Sequence, residues 1–457
     1  MSDKEAQEYL NSFINYEYYL QKLSPGSFHL NRIRALLNLL GNPQETLNFI
    51  HIAGSKGKGS TASLTANILK EAGYRAGLYT SPHFFSLNER IRLLSLTKQG
   101  SGRREMFSDS ISDKKLNVIL QKIKPCLEKM RSTRKWGDLT FFEVLTALAI
   151  FYFFEEKVDW VVLETGLGGR LDATNVVSAK VCALTPISLE HTQILGGTLA
   201  KIAVEKAAII KNEDSKVVVA PQGKEVRRVI EKRCKEFKIK PMWVGKEIQY
   251  QLKSRSLQEQ IFDIVDFNQG ERYCDLKLSL LGDHQLVNAS TAVGIILSLK
   301  ASGVKIQQEA VYRGLKNNFW PGRFEIVKQN PCVILDGAHN GASAKSLVET
   351  IRAFFPKKKV IVVLGVSLDK NKKDIADELN KIGSLIILTK ADHPRAGMWA
   401  SKEVQEYFPA KRFSVTETVS QAVKLAYAQT KKEDIILITG SLFVAAEARK
   451  YIEKIKI

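Results

Sequence analysis

A glycine-rich heptapeptide between an apolar run and a helical pattern constrains the fold of this chain more than any other feature. The heptapeptide GSKGKGS at 54–60 follows the apolar run 47–53 and precedes the helical pattern 61–71. A strand, a glycine-rich turn and a helix in this order predict a phosphate-binding loop, because backbone N–H groups at a helix N-terminus converge on phosphates. In such a loop Lys58 reaches the terminal phosphates. The alternative is a glycine-rich turn without function.

The heptapeptide departs from the usual phosphate loop in two ways. Its first glycine is two residues closer to the lysine, and Gly59 stands where a serine or threonine normally ligates Mg²⁺. We therefore expect the metal to take some of its ligands from other segments.

Short apolar runs alternate with helical patterns along the first 220 residues. Strands are predicted at 47–53, 76–79, 158–163, 180–184 and 216–220, with helices at 29–41, 61–71, 140–156 and 198–211. This alternation is typical of an α/β fold with a parallel sheet covered on both faces. The polar stretch 96–115 predicts an exposed loop, and 245–280 predicts an antiparallel excursion followed by a helix at 285–300.

The punctuation NNFWPG at 317–322 predicts a domain boundary. After it, strands are expected at 333–335, 360–364, 385–389 and 435–439, with helices at 341–354, 372–382, 419–429 and 443–453. We therefore predict two domains, an N-terminal P-loop domain over 1–317 and a smaller, doubly wound Rossmann-like domain over 322–457.

The composition indicates a globular protein of the cytoplasm. The chain has 457 residues, of which 44% are hydrophobic, and no apolar stretch is long enough to cross a membrane. Its polar, acidic start does not resemble a secretory signal, and five scattered cysteines without a CxxC pair fit a reducing compartment. The net charge of +20 is compatible with a nucleic-acid partner or an acidic small substrate, but spread-out charge favours a solvated surface.

Polar side chains follow three of the predicted strands. Ser81 belongs to TSPH at 80–83, Glu164 ends a buried strand before a glycine-rich turn, and His191 follows Glu190 after a third strand. The carboxyl ends of strands in an open α/β sheet collect ligands, and oxygen donors suit Mg²⁺. These residues are therefore candidate metal ligands, although His191 alone would be an ordinary surface histidine. The turn at 166–169 lacks the GxGxxG spacing of a dinucleotide site.

An ordered set of motifs in the chain resembles a known family. The motifs are GSKGKGS, TSPH with LNERIR, ETGLGGRLDATN, EHTQILGGT to AVEKAAIIK, GDHQLVNA, WPGR and DGAHN. The chain resembles folylpolyglutamate synthase and bifunctional dihydrofolate synthase, within the Mur ligase superfamily. The sequence departs from the family pattern at Ser55 and Lys56, where Thr-Asn is usual, and at Glu190, where Asp is usual.

The resemblance implies roles for individual residues. Those implied to bind ATP are Gly54, Ser55, Lys56, Gly57, Lys58, Gly59, Ser60, Asn288, Arg323, Asp336 and His339. Those implied to ligate Mg²⁺, with two ions expected, are Ser81, Glu164, His191 and a carbamylated Lys206. Lys58, Lys206 and His191 would be catalytic. Arg170 and Asn175 lie in the glycine-rich segment without an assigned role.

The resemblance also implies the reaction: ATP-dependent addition of L-glutamate to folate in one-carbon metabolism, with dihydropteroate as a second candidate acceptor. We expect a monomeric enzyme that acts on small molecules, without nucleic-acid or membrane partners. A Mur-type ligase acting on a UDP-linked sugar is one alternative, but only 53 residues precede Gly54, which is short for a UDP-binding domain. A basic P-loop NTPase acting on nucleic acid is the other alternative, and it leaves ETGLGGRLDATN unexplained.

Overall fold

The computed structural model of the chain describes residues 3–18, 28–96, 106–133, 135–409 and 412–455. The contacts between Cα atoms divide the chain into two compact units. Unit 1 comprises Met1–Gln251, Phe262–Lys277 and Leu286–Asn318, and unit 2 comprises Leu252–Ile261, Leu278–Gln285 and Phe319–Ile457. Across the described ranges, no helix has both the length and the apolar content needed to cross a membrane.

The strands and helices alternate along much of the chain. The strands are β1 (Phe49–Ala53), β2 (Ala76–Tyr79), β3 (Ile91–Leu94), β4 (Trp160–Glu164), β5 (Ala179–Leu184), β6 (Lys216–Val219), β7 (Met242–Trp243), β8 (Ile248–Arg255), β9 (Gln260–Asp266), β10 (Arg272–Leu278), β11 (Glu325–Gln329), β12 (Cys332–Leu335), β13 (Val360–Leu364), β14 (Gly383–Leu388), β15 (Arg412–Val415) and β16 (Ile435–Thr439). The helices are α1 (Asp3–Asn11), α2 (Asn31–Leu39), α3 (Lys58–Glu71), α4 (Asp113–Thr133), α5 (Phe141–Glu155), α6 (Thr192–Leu195), α7 (Leu199–Ala207), α8 (Lys224–Glu236), α9 (Asp283–Ala301), α10 (Gln308–Lys316), α11 (Gly341–Phe354), α12 (Lys372–Leu379), α13 (Ser401–Tyr407), α14 (Val419–Gln429) and α15 (Leu442–Lys454).

Unit 1 is built on a seven-stranded sheet in the order β3-β2-β4-β1-β5-β6-β7. All of its strand pairs are parallel except β2 with β3 at the edge. Parallel strands buried on both faces read as unbroken apolar runs, which is why β1, β4 and β5 were predictable from sequence. The sequence analysis did not predict β3, which pairs antiparallel with β2 at the edge of the sheet; only residues 80–90 join the two strands, which is short for the crossover that a parallel pair needs.

Helix α3 is buried along nearly its whole length in unit 1. Its apolar residues pack under the sheet, and α10 crosses it where Gly314 meets Ile68. A Cβ at Gly314 would lie 2.6 Å from the Ile68 Cα, so glycine permits this close crossing. The Asn67 amide also donates to the Gly314 carbonyl oxygen at 2.7 Å. The helix that follows the phosphate loop is therefore fixed on both sides.

A smaller sheet has the strand order β10-β9-β8. Four residues join β8 to β9 and five join β9 to β10, and connections this short permit only antiparallel pairing. The predicted antiparallel excursion is confirmed.

Unit 2 has a six-stranded sheet in the order β11-β12-β16-β13-β14-β15. Its pairs are parallel except β11 with β12, helices α11 to α14 connect the parallel strands, and α15 follows β16. The doubly wound architecture is confirmed. The sequence analysis missed β11, β15 and α13, whose exposed or mixed residues lack a clear period.

The predicted loop 96–115 is only partly described. Residues 97–105 lie outside the described residues, and the prediction is wrong at its end because α4 begins at Asp113. The Ser112 hydroxyl accepts a hydrogen bond from the Lys115 N–H at 3.2 Å, which stabilises the start of this helix. Serine followed by Asp-Lys-Lys-Leu was a capping signal in the sequence.

Candidate active site

The heptapeptide 54–60 forms the connection between β1 and α3 in unit 1. Strand β1 ends at Ala53, Gly57 has a φ of +79° and serves as the N-cap, and α3 begins at Lys58. The N–H groups of Ser55 and Lys56 donate to the Pro186 carbonyl oxygen at 3.0 and 3.2 Å. The loop is thus tied to the segment that follows β5, and its remaining amides begin a helix, the arrangement that binds phosphate.

Two glycines of the loop allow close packing that a side chain would prevent. A Cβ at Gly54 would lie 1.8 Å from the Thr185 Oγ1, and a Cβ at Gly57 would lie 2.1 Å from the Asn288 Oδ1. Asn288, predicted to contact ATP, therefore lies directly against the loop. Thr185 and Pro186 were not predicted, although their position after an apolar strand was the available signal.

Two lysine ammonium groups meet at one carbonyl oxygen of the loop. The Gly54 oxygen accepts from Lys58 Nζ at 3.1 Å and from Lys206 Nζ at 2.8 Å. Lys206 is fully buried, and its Nζ lies 2.7 Å from Glu190 Oε1. Lys206 therefore lies at the phosphate loop.

The electrostatics of this cluster follow from burial and proximity. Burial lowers the pKa of Lys206, and Lys58 adds to this effect while Glu190 opposes it. For Glu190, burial alone would raise the pKa, but the charges of Lys206, Lys58 and His191 lower it to about 2. The carboxylate is therefore ionised, and both hydrogen-bond partners of Lys206 suit an ammonium.

Two candidate metal ligands lie at the ends of neighbouring strands. Glu164 is the buried last residue of β4, and its Oε2 accepts the Ser81 N–H, after β2, at 3.2 Å. In the described part of the chain, no three His, Cys, Asp or Glu side chains converge to hold a metal on their own. The candidate set contains only two such residues, Glu164 and His191, so a magnesium site here depends also on Ser81 and Lys206. His191, at a φ of +45°, is the N-cap residue of α6 and follows Glu190.

The glycine-rich segment after Glu164 packs against helix α7. A Cβ at Gly169 would lie 2.7 Å from the Glu205 carbonyl oxygen, and the Arg170 N–H donates to the same oxygen at 2.8 Å. The Arg170 side chain pairs with the Glu205 carboxylate, and the Asn175 amide donates to the Arg170 and Ala208 carbonyl oxygens. Arg170 and Asn175, left without a role by the sequence, thus hold the helix that carries Lys206.

A buried polar chain fixes the other end of this segment. Asp172 accepts hydrogen bonds from the Leu167 N–H at 2.7 Å and from the Thr174 backbone and hydroxyl. The Thr174 hydroxyl is also 2.8 Å from His51 Nε2 in β1. Burial, aided by Lys211, lowers the pKa of His51 to about 3, so this ring is neutral at physiological pH.

The remaining predicted ATP contacts lie together in unit 2, around the end of β12. Asp336 accepts the Phe324 and Ala338 N–H groups, both at 2.8 Å, and a Cβ at Gly337 would lie 2.5 Å from Arg323 Nη1. Burial raises the pKa of the Asp336 carboxyl, and the Arg323 charge opposes this effect. His339 Nδ1 lies 2.8 Å from the Gly337 oxygen.

Substitution of Gly54 by alanine tests the packing of the loop. We expect Gly54→Ala to destabilise the protein by about 1–3 kcal/mol through overpacking against Thr185 and to weaken nucleotide binding. Thermal denaturation and nucleotide titration measure the two effects. Thr185→Ala in the same chain removes the nearest atom and should partly restore both, while Gly197→Ala, where no atom lies within 4 Å of the new Cβ, should be neutral. A stable, fully binding Gly54→Ala variant would contradict this packing.

Two protein-family models match the chain. The Mur ligase middle domain matches residues 104–296, and the Mur ligase glutamate ligase domain matches residues 322–442. The fold and the loop therefore define a Mur-type ATP-dependent ligase.

Relatives identify the branch within this class. The chain is 32% identical to a dihydrofolate synthase/folylpolyglutamate synthase of Bacillus subtilis, over 92% of this chain and 94% of that protein. It is 30% identical to the enzyme of that name from Escherichia coli, over 95% of this chain and 94% of that protein. The chain belongs to the dihydrofolate synthase/folylpolyglutamate synthase family.

Solved structures agree with this assignment. Folylpolyglutamate synthase of Mycobacterium tuberculosis, complexed with ADP and AMPPCP, superposes with a TM-score of 0.84 at 31% identity, over 92% of this chain and 95% of that one. The Escherichia coli enzyme in complex with DHPP and ADP gives a TM-score of 0.81 at 28% identity, over 94% of both chains. The sequence resemblance is confirmed.

Proposed function

We propose that this protein is an ATP-dependent ligase that adds L-glutamate to folate by forming an amide bond. The observation that carries the proposal is the phosphate loop with Lys58, set beside Glu164, Ser81 and Lys206 at one edge of the sheet, in a chain of this family. The relatives named dihydrofolate synthase/folylpolyglutamate synthase support folate over a UDP-linked sugar or nucleic acid as the acceptor.

The chemistry has two steps. A carboxylate oxygen of folate attacks the γ-phosphorus of ATP, and the bond from this phosphorus to the β-phosphate oxygen breaks. ADP departs, and the folate carboxyl group becomes an acyl phosphate. The glutamate amine then attacks the acyl carbon, the tetrahedral intermediate expels phosphate, and the amine loses a proton. Phosphoryl transfer depends mainly on alignment and charge stabilisation, which Lys58 and the loop amides would supply.

The nucleotide would be held by residues of the loop and by four others. Ser55, Lys56, Gly59 and Ser60 would complete the phosphate contacts of the loop, and Asn288 lies against Gly57. Arg323, Asp336 and His339 are proposed as further ATP contacts. Their support is the ordered geometry around the end of β12, where Asp336 accepts the N–H groups of Phe324 and Ala338, the residues next to Arg323 and His339.

Magnesium ions are proposed to bind Ser81, Glu164, His191 and a carbamate on Lys206. The residues fit this group, because Glu164 brings carboxylate oxygens beside Ser81, and hard cations prefer oxygen ligands. Bound Mg²⁺ neutralises the charge that develops on the phosphates. Glu164 and Ser81 hold their positions at the strand ends through the hydrogen bond between them.

Removal of either proposed ligand should change the metal requirement. We expect Glu164→Ala and His191→Ala each to raise the Mg²⁺ concentration needed for half-maximal rate, because Gly59 offers no hydroxyl ligand. Magnesium titration of the initial rate measures this, with Glu225→Ala as an exposed control carboxylate. Titrations identical to wild type in both variants would remove Glu164 and His191 from the metal site.

Transfer of an isotope tests the acyl phosphate directly. Folate labelled with ¹⁸O in its carboxylate should pass one ¹⁸O to inorganic phosphate during each turnover, and this transfer should require ATP and glutamate. Amide product accompanied by unlabelled phosphate would overturn the proposed reaction.

Dihydropteroate is proposed as a second acceptor, supported by the bifunctional names of several relatives. Competition between dihydropteroate and tetrahydrofolate for labelled glutamate decides whether one site serves both. A cytoplasmic location and a monomeric state stay predictions from the sequence.

A further inference from the structure

Arg90 connects two segments of unit 1 that are far apart in sequence. It ends the helical turn Leu87–Arg90 before β3 and is 2% exposed. Its Nη1 and Nη2 donate to the two carboxylate oxygens of Glu17 at 2.7 and 2.6 Å, while its Nε donates to His83 Nδ1 at 3.1 Å. One guanidinium therefore joins the N-terminal segment to the loop that follows β2.

This contact fixes the tautomer of the His83 ring. A guanidinium has only donors, so Nδ1 of His83 must be the acceptor, and the proton of the neutral ring lies on Nε2. A lysine could not replace this arrangement, because one ammonium cannot present a planar fork to Glu17 and a third donor to His83.

The loop held in this way is the one that carries Ser81. His83 lies two residues after Ser81, whose N–H donates to Glu164 Oε2 at 3.2 Å. The following stretch is held from its other side by Glu89, whose carboxylate accepts the N–H groups of Phe84, Phe85 and Ser86 at 2.7 to 2.8 Å.

Glu17 is itself held in place. The segment before it pairs with the start of α5, where the Phe141 N–H donates to the Ile14 carbonyl oxygen at 2.9 Å. The Phe142 ring, next along that helix, lies against Gly166, where an added Cβ would be 2.5 Å from it. The N-terminal segment thus supports both the loop after β2 and the start of a helix that reaches the glycine-rich segment.

We infer that Arg90 is a positioning residue of the ligase: together with Glu17 it holds His83 as the Nε2–H tautomer and fixes the loop 81–83 beside Glu164. The metal-binding role of this loop rests on the proposed function.

Arg92 provides a matched control on the same strand pair. It is 8% exposed and makes the same bidentate pair, with Asp109 at 2.8 Å for both bonds. Both of these bonds go to Asp109, which lies outside the loop 81–83. Arg92→Lys therefore disturbs a second buried guanidinium–carboxylate pair, one that does not include His83.

The test compares Arg90→Lys with Arg92→Lys in the full-length protein. We expect Arg90→Lys to lower kcat by about 10-fold to 100-fold, since small misplacement of reacting groups has effects of this size, and to raise the Mg²⁺ concentration for half-maximal rate. Arg92→Lys should keep most of its kcat. In ¹⁵N-histidine spectra, the Nε2–H signature assigned to His83 with a His83→Gln variant should be lost in Arg90→Lys and kept in Arg92→Lys.

Equal kcat losses in the two lysine variants, or an unchanged His83 signature in Arg90→Lys, would overturn the inference. If Arg90→Lys does not fold, Glu17→Gln with Asp109→Asn as its control gives the same comparison with both arginines kept. A wild-type protein that ligates no glutamate would overturn the proposed function instead, while the tautomer spectra would still decide the role of Arg90.

Discussion

Replacement of Lys58 by alanine is expected to abolish ligation while the fold remains intact. Its ammonium lies 3.1 Å from the Gly54 oxygen of the loop, and we propose that it would be the charge nearest the transferring phosphoryl group. Loss of one such electrostatic contact lowers the rate on the order of 10²–10³. Initial rates measure the turnover, and circular dichroism checks that the variant is folded.

Lys70 is the control for this substitution, since it lies at the other end of α3 beside Glu71. Lys70→Ala should keep wild-type turnover. A folded Lys58→Ala protein that keeps most of its activity would show that the loop 54–60 does not bind the reacting triphosphate.

Replacement of Lys206 by arginine is the second variant with a large expected effect, a loss of nearly all activity. We propose that its amine attacks CO₂, forming an N–C bond and releasing a proton, and that the resulting carbamate binds Mg²⁺. Burial and Lys58 lower the pKa of Lys206, which raises the share of reactive neutral amine, although Glu190 opposes this. Arginine can keep the ion pair with Glu190 but cannot form the carbamate.

The arginine variant separates the two roles that this lysine can have. Lys206→Ala also leaves the buried Glu190 carboxylate unpaired, so its lost activity alone is ambiguous. Protein equilibrated with ¹³C-bicarbonate should show a carbamate resonance that is absent from Lys206→Arg and Lys206→Ala. Lys211→Ala, which removes a second lysine whose pKa burial lowers to about 8, should keep it. A fully active Lys206→Arg enzyme without a carbamate signal would leave Lys206 as an ammonium partner of Glu190.

Strands buried on both faces were predictable from sequence, and polar edges were not. The strand β2 and the helix α11 have the predicted bounds, because continuous apolar runs and a regular helical period identify them. Strand β15 has mostly exposed residues, and β3 is a buried edge strand of only four residues whose apolar run is interrupted by Arg92, so neither carries the signal of a central parallel strand.

For the candidate site too, some features were predictable from sequence and others were not. Lys58, Ser81 and Glu164 could be found because they stand at the ends of recognisable strands or in a glycine-rich loop. The contacts that hold them could not be found, because they join segments far apart in the chain. These contacts are the packing of Thr185 against Gly54, the ion pair of Arg170 with helix α7 and the ion pair of Glu17 with Arg90. The role of Lys206 was predicted only from the family resemblance, because a lysine within a helix is ordinarily solvated. In the structure this lysine is fully buried.

The most direct test is incorporation of radiolabelled L-glutamate by the purified full-length protein with ATP and Mg²⁺. Tetrahydrofolate and dihydropteroate are supplied in separate reactions, with a UDP-linked muramoyl peptide precursor and single-stranded nucleic acid as comparison additions. The account predicts ATP-dependent label in a folate product, formed with one ADP for each glutamate added. Label in neither pterin product, together with ATP hydrolysis that nucleic acid stimulates or label in the UDP-linked product, would contradict it.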